Sequence, residues 1–291
     1  MTTYQISEQE RSLLAAGALA GDLGPTPRLL TTLTDEELLA LTGPDRPVNR
    51  LPWLDGLRER VPGYGFEEAV LAGARSLRAR GLTAPEEALA AIESRDRIGD
   101  GSAVRAGLVV TGIISRRAAA RRRLALRRES DPQGLSVAFH VDSDGTILQE
   151  QVSGEGLHHF LIQDLSSALR ALHSLLEDDE DTDDSGGADQ GEERSLVSGT
   201  WHQVSVALDI ADRTTVTRLD LVDQAAGASE TLWIARSPEG PVVLRAADGD
   251  ETGTAPDGTA LDGAALEATP LNAPERDELL EEILSGGRSA G

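Results

Sequence analysis

The residues best equipped for chemistry in this chain are its five histidines, His140, His158, His159, His173 and His202, and the acids near them. His158 and His159 are adjacent, and the pattern places them at the start of a helix over 157–176. Neighbours on a helix project about 100° apart, so the pair is poorly shaped to chelate one ion. No His-x-x-x-His spacing occurs. Capping and surface roles are therefore expected for the histidines, and no metal. Asp142-Ser143-Asp144-Gly145 resembles part of a calcium loop. An EF-hand in that register needs acids at 140 and 151, where His140 and Gln151 stand. The segment reads instead as a hairpin turn.

Other catalytic signatures are missing. The chain has no Lys, which removes P-loop, Schiff-base and kinase-type chemistry. It has no Cys, which removes thiolate zinc sites, iron–sulfur clusters, cysteine nucleophiles and disulfides. No Gly-x-Ser-x-Gly elbow is present. The expectation is a non-enzymatic protein without a cofactor.

The strongest local anomaly is positive charge. Arg105, Arg116, Arg117, Arg121, Arg122, Arg123, Arg127 and Arg128 occur without one intervening acid, in a chain of net charge −23. Arg116 to Arg128 are the candidate partner-binding patch. An acidic protein partner and nucleic acid are the functional readings. The plain reading is a solvated hairpin face, neutralised by the acidic run at 177–193. The overall charge opposes non-specific binding to nucleic acid or anionic lipid, because each phosphate contact needs a cation. Neither a nucleic-acid nor a membrane partner is expected.

The elements that must position these residues follow from pattern. Ser7-Glu8-Gln9-Glu10 and Thr34-Asp35-Glu36-Glu37 are capping boxes. Phe66, Ala69, Val70, Ala74 and Leu77 form one face of a helix over 66–80, stopped by Gly81. Another helix starts at Thr83-Ala84-Pro85-Glu86 and ends near Ser94. From about 103 the pattern turns to strands: 104–114, 121–128, 135–141 and 146–152, then the helix over 157–176. Glu177 to Asp184 holds seven acids and reads as the start of a disordered linker. Strands return at 201–210, 214–222, 231–236 and 241–246. A polar loop over 248–266 leads to a last helix capped by Asn272, with Pro274 in its first turn.

The fold class expected is α+β. A helical region covers 1–100, a sheet-plus-helix block 101–177, an acidic linker 178–193 and a second block 194–291. The blocks match at an offset of 95 residues. Gly240 falls on Gly145, Leu232 and Ile234 on Val137 and Phe139, and Leu219 and Leu221 on Leu124 and Leu126. One offset across three strands keeps the inward-facing parity, which points to a quasi-two-fold repeat. The first ten residues lack the charge and apolar run of a signal peptide. Apolar runs such as 108–114 are too short to span a bilayer. A cytoplasmic location is expected, as a monomer or weak dimer.

The segment Ile234-Ala235-Arg236-Ser237-Pro238-Glu239-Gly240-Pro241-Val242-Val243-Leu244-Arg245, a polar loop, and then 274–284 together resemble the close of EspG-type proteins. These are cytosolic chaperones of type VII (ESX) secretion in actinobacteria. The resemblance covers most of residues 60–285. It implies a quasi-two-fold fold with a central antiparallel sheet, and a non-enzymatic role. It also implies a helical partner: a PE–PPE-like secretion substrate or another secreted helical protein. The rival reading is a DNA-binding transcriptional regulator. It would use 66–94 as a winged-helix-like unit, with 82–93 as the second helix and the arginine hairpin as a wing. That helix carries Glu86, Glu87 and Glu93 rather than Arg or Asn.

Overall fold

A computed structural model of the 291-residue chain describes residues 7–21, 23–24, 26–43, 51–61, 65–92, 103–128, 136–176, 197–199, 203, 216–238, 240–246 and 266–285. In chain order the first elements are α1 (Glu8–Ala20), β1 (Arg28–Thr34), α2 (Asp35–Thr42), α3 (Pro52–Arg60) and α4 (Phe66–Ala79). β2 (Thr83–Pro85), α5 (Glu86–Ile92), β3 (Val104–Ala106), α6 (Leu108–Ala119) and β4 (Arg122–Arg128) follow. Then come β5 (Ser136–Val141), β6 (Ile147–Val152), β7 (Leu157–Gln163), α7 (Leu165–Leu176) and β8 (Val197–Gly199). The last are β9 (Thr217–Asp223), β10 (Ala228–Ser237), β11 (Gly240–Ala246), β12 (Leu266–Pro270) and α8 (Ala273–Ser285). The fold is α+β, with antiparallel strand pairing.

By internal contacts the chain divides into two units, 1–121 with 139–164, and 122–138 with 165–291. This differs from the expected boundaries. The first unit is not a purely helical region followed by a sheet. β1 lies among its helices and pairs with β7, from Arg28↔Ile162 to Thr34↔Leu157, with an irregularity between Leu29 and Thr31.

Two capping boxes set helix starts in this unit. Ser7 and Glu10 close one before α1. Thr34 and Glu37 close the other before α2, so β1 passes directly into a helix. Glu37 is fully buried and also holds α4, accepting from Ser76 Oγ at 2.6 Å and Arg80 Nη1 at 2.5 Å. Gly73 makes that crossing close: a Cβ there would run into the Glu36 backbone. The apolar core gathers Leu19, Leu33, Leu38, Leu54, Leu77, Ile113 and Phe160.

One expected strand is absent here and two expected helices start later than the pattern placed them. The stretch 104–114 is not a strand. Only Val104–Ala106 is extended, and α6 begins at Leu108. β-branched residues lower helix propensity by only a few tenths of a kcal/mol each. Burial of Val110 and Ile113 and the contact of Gly112 with α1 outweigh that. The helix expected from Thr83-Ala84-Pro85-Glu86 begins only at Glu86, and Thr83–Pro85 is a short strand paired with β3. His158 and His159 lie in β7, so the helix expected over 157–176 starts only at Leu165.

In the second unit the strand order is β4-β9-β10-β11-β12-β8. β10 and β11 form the expected hairpin, closing at Ser237↔Gly240. Trp233, Leu232, Leu219 and Leu244 are buried, as are Leu280 and Leu284 of α8. Asn272 and Glu275 complete a reciprocal cap on α8. Of the expected loop over 248–266 only Leu266 is among the described residues, and it opens β12. The acidic run 177–193 and the expected strand at 201–210, apart from residue 203, lie outside the described residues.

Two glycine-to-alanine changes on helices should have opposite signs. Gly73→Ala drives a methyl into backbone and should cost about 1–3 kcal/mol. At Gly17 on α1 an added Cβ meets nothing within 4 Å, so Gly17→Ala should stabilise by about 0.5–1 kcal/mol. Urea denaturation of the three proteins measures both.

Candidate functional site

Two places in the first unit bring functional side chains together: a buried ionic network and an open groove. The network centres on Glu150 of β6, which is fully buried. In a strand, alternate residues share a face, so Glu150 points with Leu148 and Val152 into apolar packing. A carboxylate there needs cations and donors. Arg117, from α6, supplies two hydrogen bonds, Nε to Oε2 at 3.0 Å and Nη2 to Oε1 at 3.1 Å. His140 Nε2 lies 3.0 Å from Oε2, and His158 Nδ1 lies 2.7 Å from Oε1.

The far side of the His158 ring meets a second buried acid. Nε2 is 2.7 Å from Asp35 Oδ1, and Asp35 Oδ2 accepts from the Leu54 N–H at 3.0 Å. Asp35 is the first residue of α2, and its own N–H donates to Gly156 O at 3.0 Å. Gly156, at φ +71°, sits against Asp35 and Trp53 with no room for a side chain. One chain of contacts thus joins α6, β5, β6, β7, α2 and the first turn of α3.

The electrostatics follow from these neighbours. Burial opposes the Glu150 charge, but Arg117 and the two imidazoles outweigh it and hold its pKa well below the ordinary carboxylate value. Burial would lower the His158 pKa. The hydrogen bonds to Asp35 and Glu150 outweigh that, and the net shift is upward. Both ring nitrogens of His158 face carboxylate oxygens, a geometry satisfied only by the doubly protonated ring. Asp35, Glu150 and His158 side chains are all inaccessible to solvent. The network can hold protons and fix elements, but it offers a substrate no approach. Among the described residues, no group of three or more His, Asp or Glu is placed to hold a metal ion.

The groove lies between α1 and α6. Its volume is about 570 Å³. Leu13, Ala16 and Gly17 of α1 line it with Ile114, Ala118 and Ala119 of α6 and with Asp142 to Asp144 of the β5–β6 turn. Four of these lining residues are Ala or Gly, and Leu13 among them is 66% exposed. Arg116 also lines it and ties the helices to the turn. It donates to Ala16 O at 2.9 Å, pairs with Asp142, and reaches Asp144 at 3.2 Å. The 142–145 segment is the hairpin turn expected, with a guanidinium between its two carboxylates. Burial pushes the Asp142 carboxyl up against the pull of Arg116.

The arginines of the candidate patch are spread over two elements. Arg116 is 2% exposed and committed to Asp142 and Asp144; Arg117 is committed to Glu150. Arg121 is exposed just after α6. Arg122 opens β4, 2.7 Å from Asp223 Oδ2, with Arg123 and Arg127 half-buried along the strand. Arg128 ends that strand. Arg105 pairs with Glu8 at 2.6 Å. Much of this positive charge is thus matched inside the fold.

Sequence reasoning missed Asp35, Glu150 and the role of His158. One signal was available: Glu150 shares strand parity with Leu148 and Val152, so it had to be buried and answered. What the sequence lacked was the register bringing His158 opposite Val152, next to Glu150. In the segment 82–93, assigned as second helix by the DNA-binding reading, α5 has seven residues, and its Glu86 is buried against Arg11 at 2.7 Å. No protein-family model and no curated protein matches the chain.

Removing the charge of Glu150 leaves Arg117 and His158 buried without their shared anion. Glu150→Gln should lower unfolding stability by about 3–5 kcal/mol, read from the urea midpoint, with the far-ultraviolet circular dichroism of the folded protein unchanged.

Proposed function

We propose that this is a non-enzymatic binding protein, a chaperone or adaptor of the cytosol, that holds a helical segment of another protein along the α1–α6 groove. The groove itself carries the reading. It is open, and the small residues Ala16, Gly17, Ala118 and Ala119 line it together with an exposed Leu13. Small residues on two neighbouring helices let the backbone of a third helix approach closely. Leucine at the rim supplies apolar area to be covered.

Further exposed apolar side chains on the same unit support the reading: Leu14 on α1, Phe66 and Leu71 on α4, and Val109 on α6. Isolated exposed leucines are ordinary, but Leu13 beside a groove of this size is suited to recognition. The buried network supports a non-catalytic role, because its titrating groups are sealed from solvent. The net charge of −23 favours a partner with basic residues.

The resemblance to EspG-type chaperones supplies the partner class: a secreted helical protein, PE–PPE-like or another. The repeated order of elements supports the duplicated architecture that goes with it. A hairpin and third strand lead into a helix in β5-β6-β7-α7 and again in β10-β11-β12-α8. The turn glycines Gly145 and Gly240 both have positive φ.

The test is affinity purification from an actinobacterial host, comparing the wild type with Leu13→Asp and Gly17→Arg. The expected result is near-stoichiometric recovery of one small helical protein, reduced at least tenfold by either substitution in variants that keep their melting temperature. Equal recovery by the variants would remove the groove as the site. Recovery of DNA instead would favour a regulator.

A further inference from the structure

We infer that His158 is a protonation-dependent clamp: while both ring nitrogens carry protons it ties helices α2 and α3 to the sheet of the first unit, and loss of one proton releases them. The geometry requires two donors. Nδ1 faces Glu150 Oε1 and Nε2 faces Asp35 Oδ1, each at 2.7 Å. A neutral imidazole has one N–H. Whichever tautomer forms, one nitrogen then presents a lone pair to a carboxylate oxygen, inside a site that water does not reach.

The two carboxylates are not equally able to move. Glu150 lies in mid-strand, in register with Phe160 of β7, and keeps its two Arg117 bonds and its His140 contact. Asp35 is the first residue of α2, and the other hydrogen-bond partner of its carboxylate is the Leu54 N–H at the start of α3. Release therefore falls on the Asp35 side. The groups facing the ring are known from each element. α2 brings Asp35, β6 Glu150, β5 His140 and α6 Arg117, the latter two acting through Glu150. β1 brings apolar Leu33 opposite His158 in register, and β7 brings Phe160, whose ring is stacked at 6.3 Å. His159 points to the other face and contacts Thr32 Oγ1 at 2.9 Å.

The direction of the pH effect follows. An imidazole with a raised folded-state pKa stabilises fully below its ordinary value, about 6.5, and that stabilisation is lost as pH rises through the folded value. The window therefore opens at about pH 6.5 and extends upward. The acid side belongs to Glu150, whose lowered pKa gives stability that disappears as pH falls through its folded value. The clamp does not depend on what occupies the α1–α6 groove.

The experiment uses the full-length wild-type protein. Imidazole 15N chemical shifts report the His158 protonation state, and amide hydrogen exchange reports opening at Leu54, both from pH 6 to 9. The expected result is a doubly protonated His158 ring at pH 6.5 that titrates above that value. Leu54 protection should fall about tenfold per pH unit across the titration, after correction for base-catalysed chemical exchange. Val243 in β11 should show no such fall. In His158→Gln the Leu54 protection should no longer vary with pH. If that variant does not fold, the two wild-type measurements still decide. A His158 ring that titrates at or below 6.5, or a Leu54 protection flat across the window, overturns the clamp.

Discussion

A carboxylate with no access to water must be answered by cations, and Glu150 is answered from three different elements. That requirement organises the first unit. It fixes the rotation of α6 through Arg117, and it sets which face of β7 turns inward through His158. Through His158 it reaches Asp35, so the start of α2 is placed by the same charge. Hydrophobic burial alone would allow these elements to slide. A buried ionic network with short, directional bonds specifies one arrangement, because each misplacement leaves a charge unpaired.

Close helix crossings complete the frame. Gly73 lets α4 reach the backbone of α2, and Gly112 lets α6 reach Ala15 and Leu19 of α1, each at distances a Cβ would forbid. Arg116 then ties α6 to α1 and to the β5–β6 turn at once. The two helices that line the groove are thus tied to each other and to the β5–β6 turn. A surface held this way can recognise a partner without reordering on binding, which limits the entropic cost of association.

Local signals in the sequence were legible where local energetics decide. The boxes at Ser7 and Thr34, the Asn272 cap, the β5–β6 and β10–β11 turns and the helix from Phe66 all follow from residues a few positions apart. The errors arose where tertiary packing overrides propensity. Val109, Val110, Ile113 and Ile114 resemble a strand, but α6 is selected by its fit against α1. Leucines at 157 and 161 fit a helical period as well as a strand, and only pairing with β1 and β6 places them in β7. β1 itself, Arg28–Thr34, was hidden because its partner β7 lies more than 120 residues away. The candidate site was legible to the same degree. Arg116 and Arg117 stood out by charge, but their acids at 142, 144 and 150 become partners only once the sheet register is set.

The distribution of charge bears on what kind of protein this is. All the Lys and Arg positions are arginine, and several are spent inside the fold: Arg11 on Glu86, Arg116 on the turn aspartates, Arg117 on Glu150, Arg122 on Asp223. Arginine suits such roles, since its planar fork stays charged when buried and satisfies two acceptors at once. Each of these cations is matched by an acid held with it, so the net charge of −23 falls on the remaining, mostly surface residues. Such a surface repels polyanions and attracts basic segments over a Debye length of about 10 Å. A partner helix with basic residues flanking a small or apolar stripe would meet both features at the α1–α6 groove. The stripe would lie against Ala16, Gly17, Ala118 and Ala119, and a basic residue would lie near Asp144, whose carboxylate is half exposed at the rim.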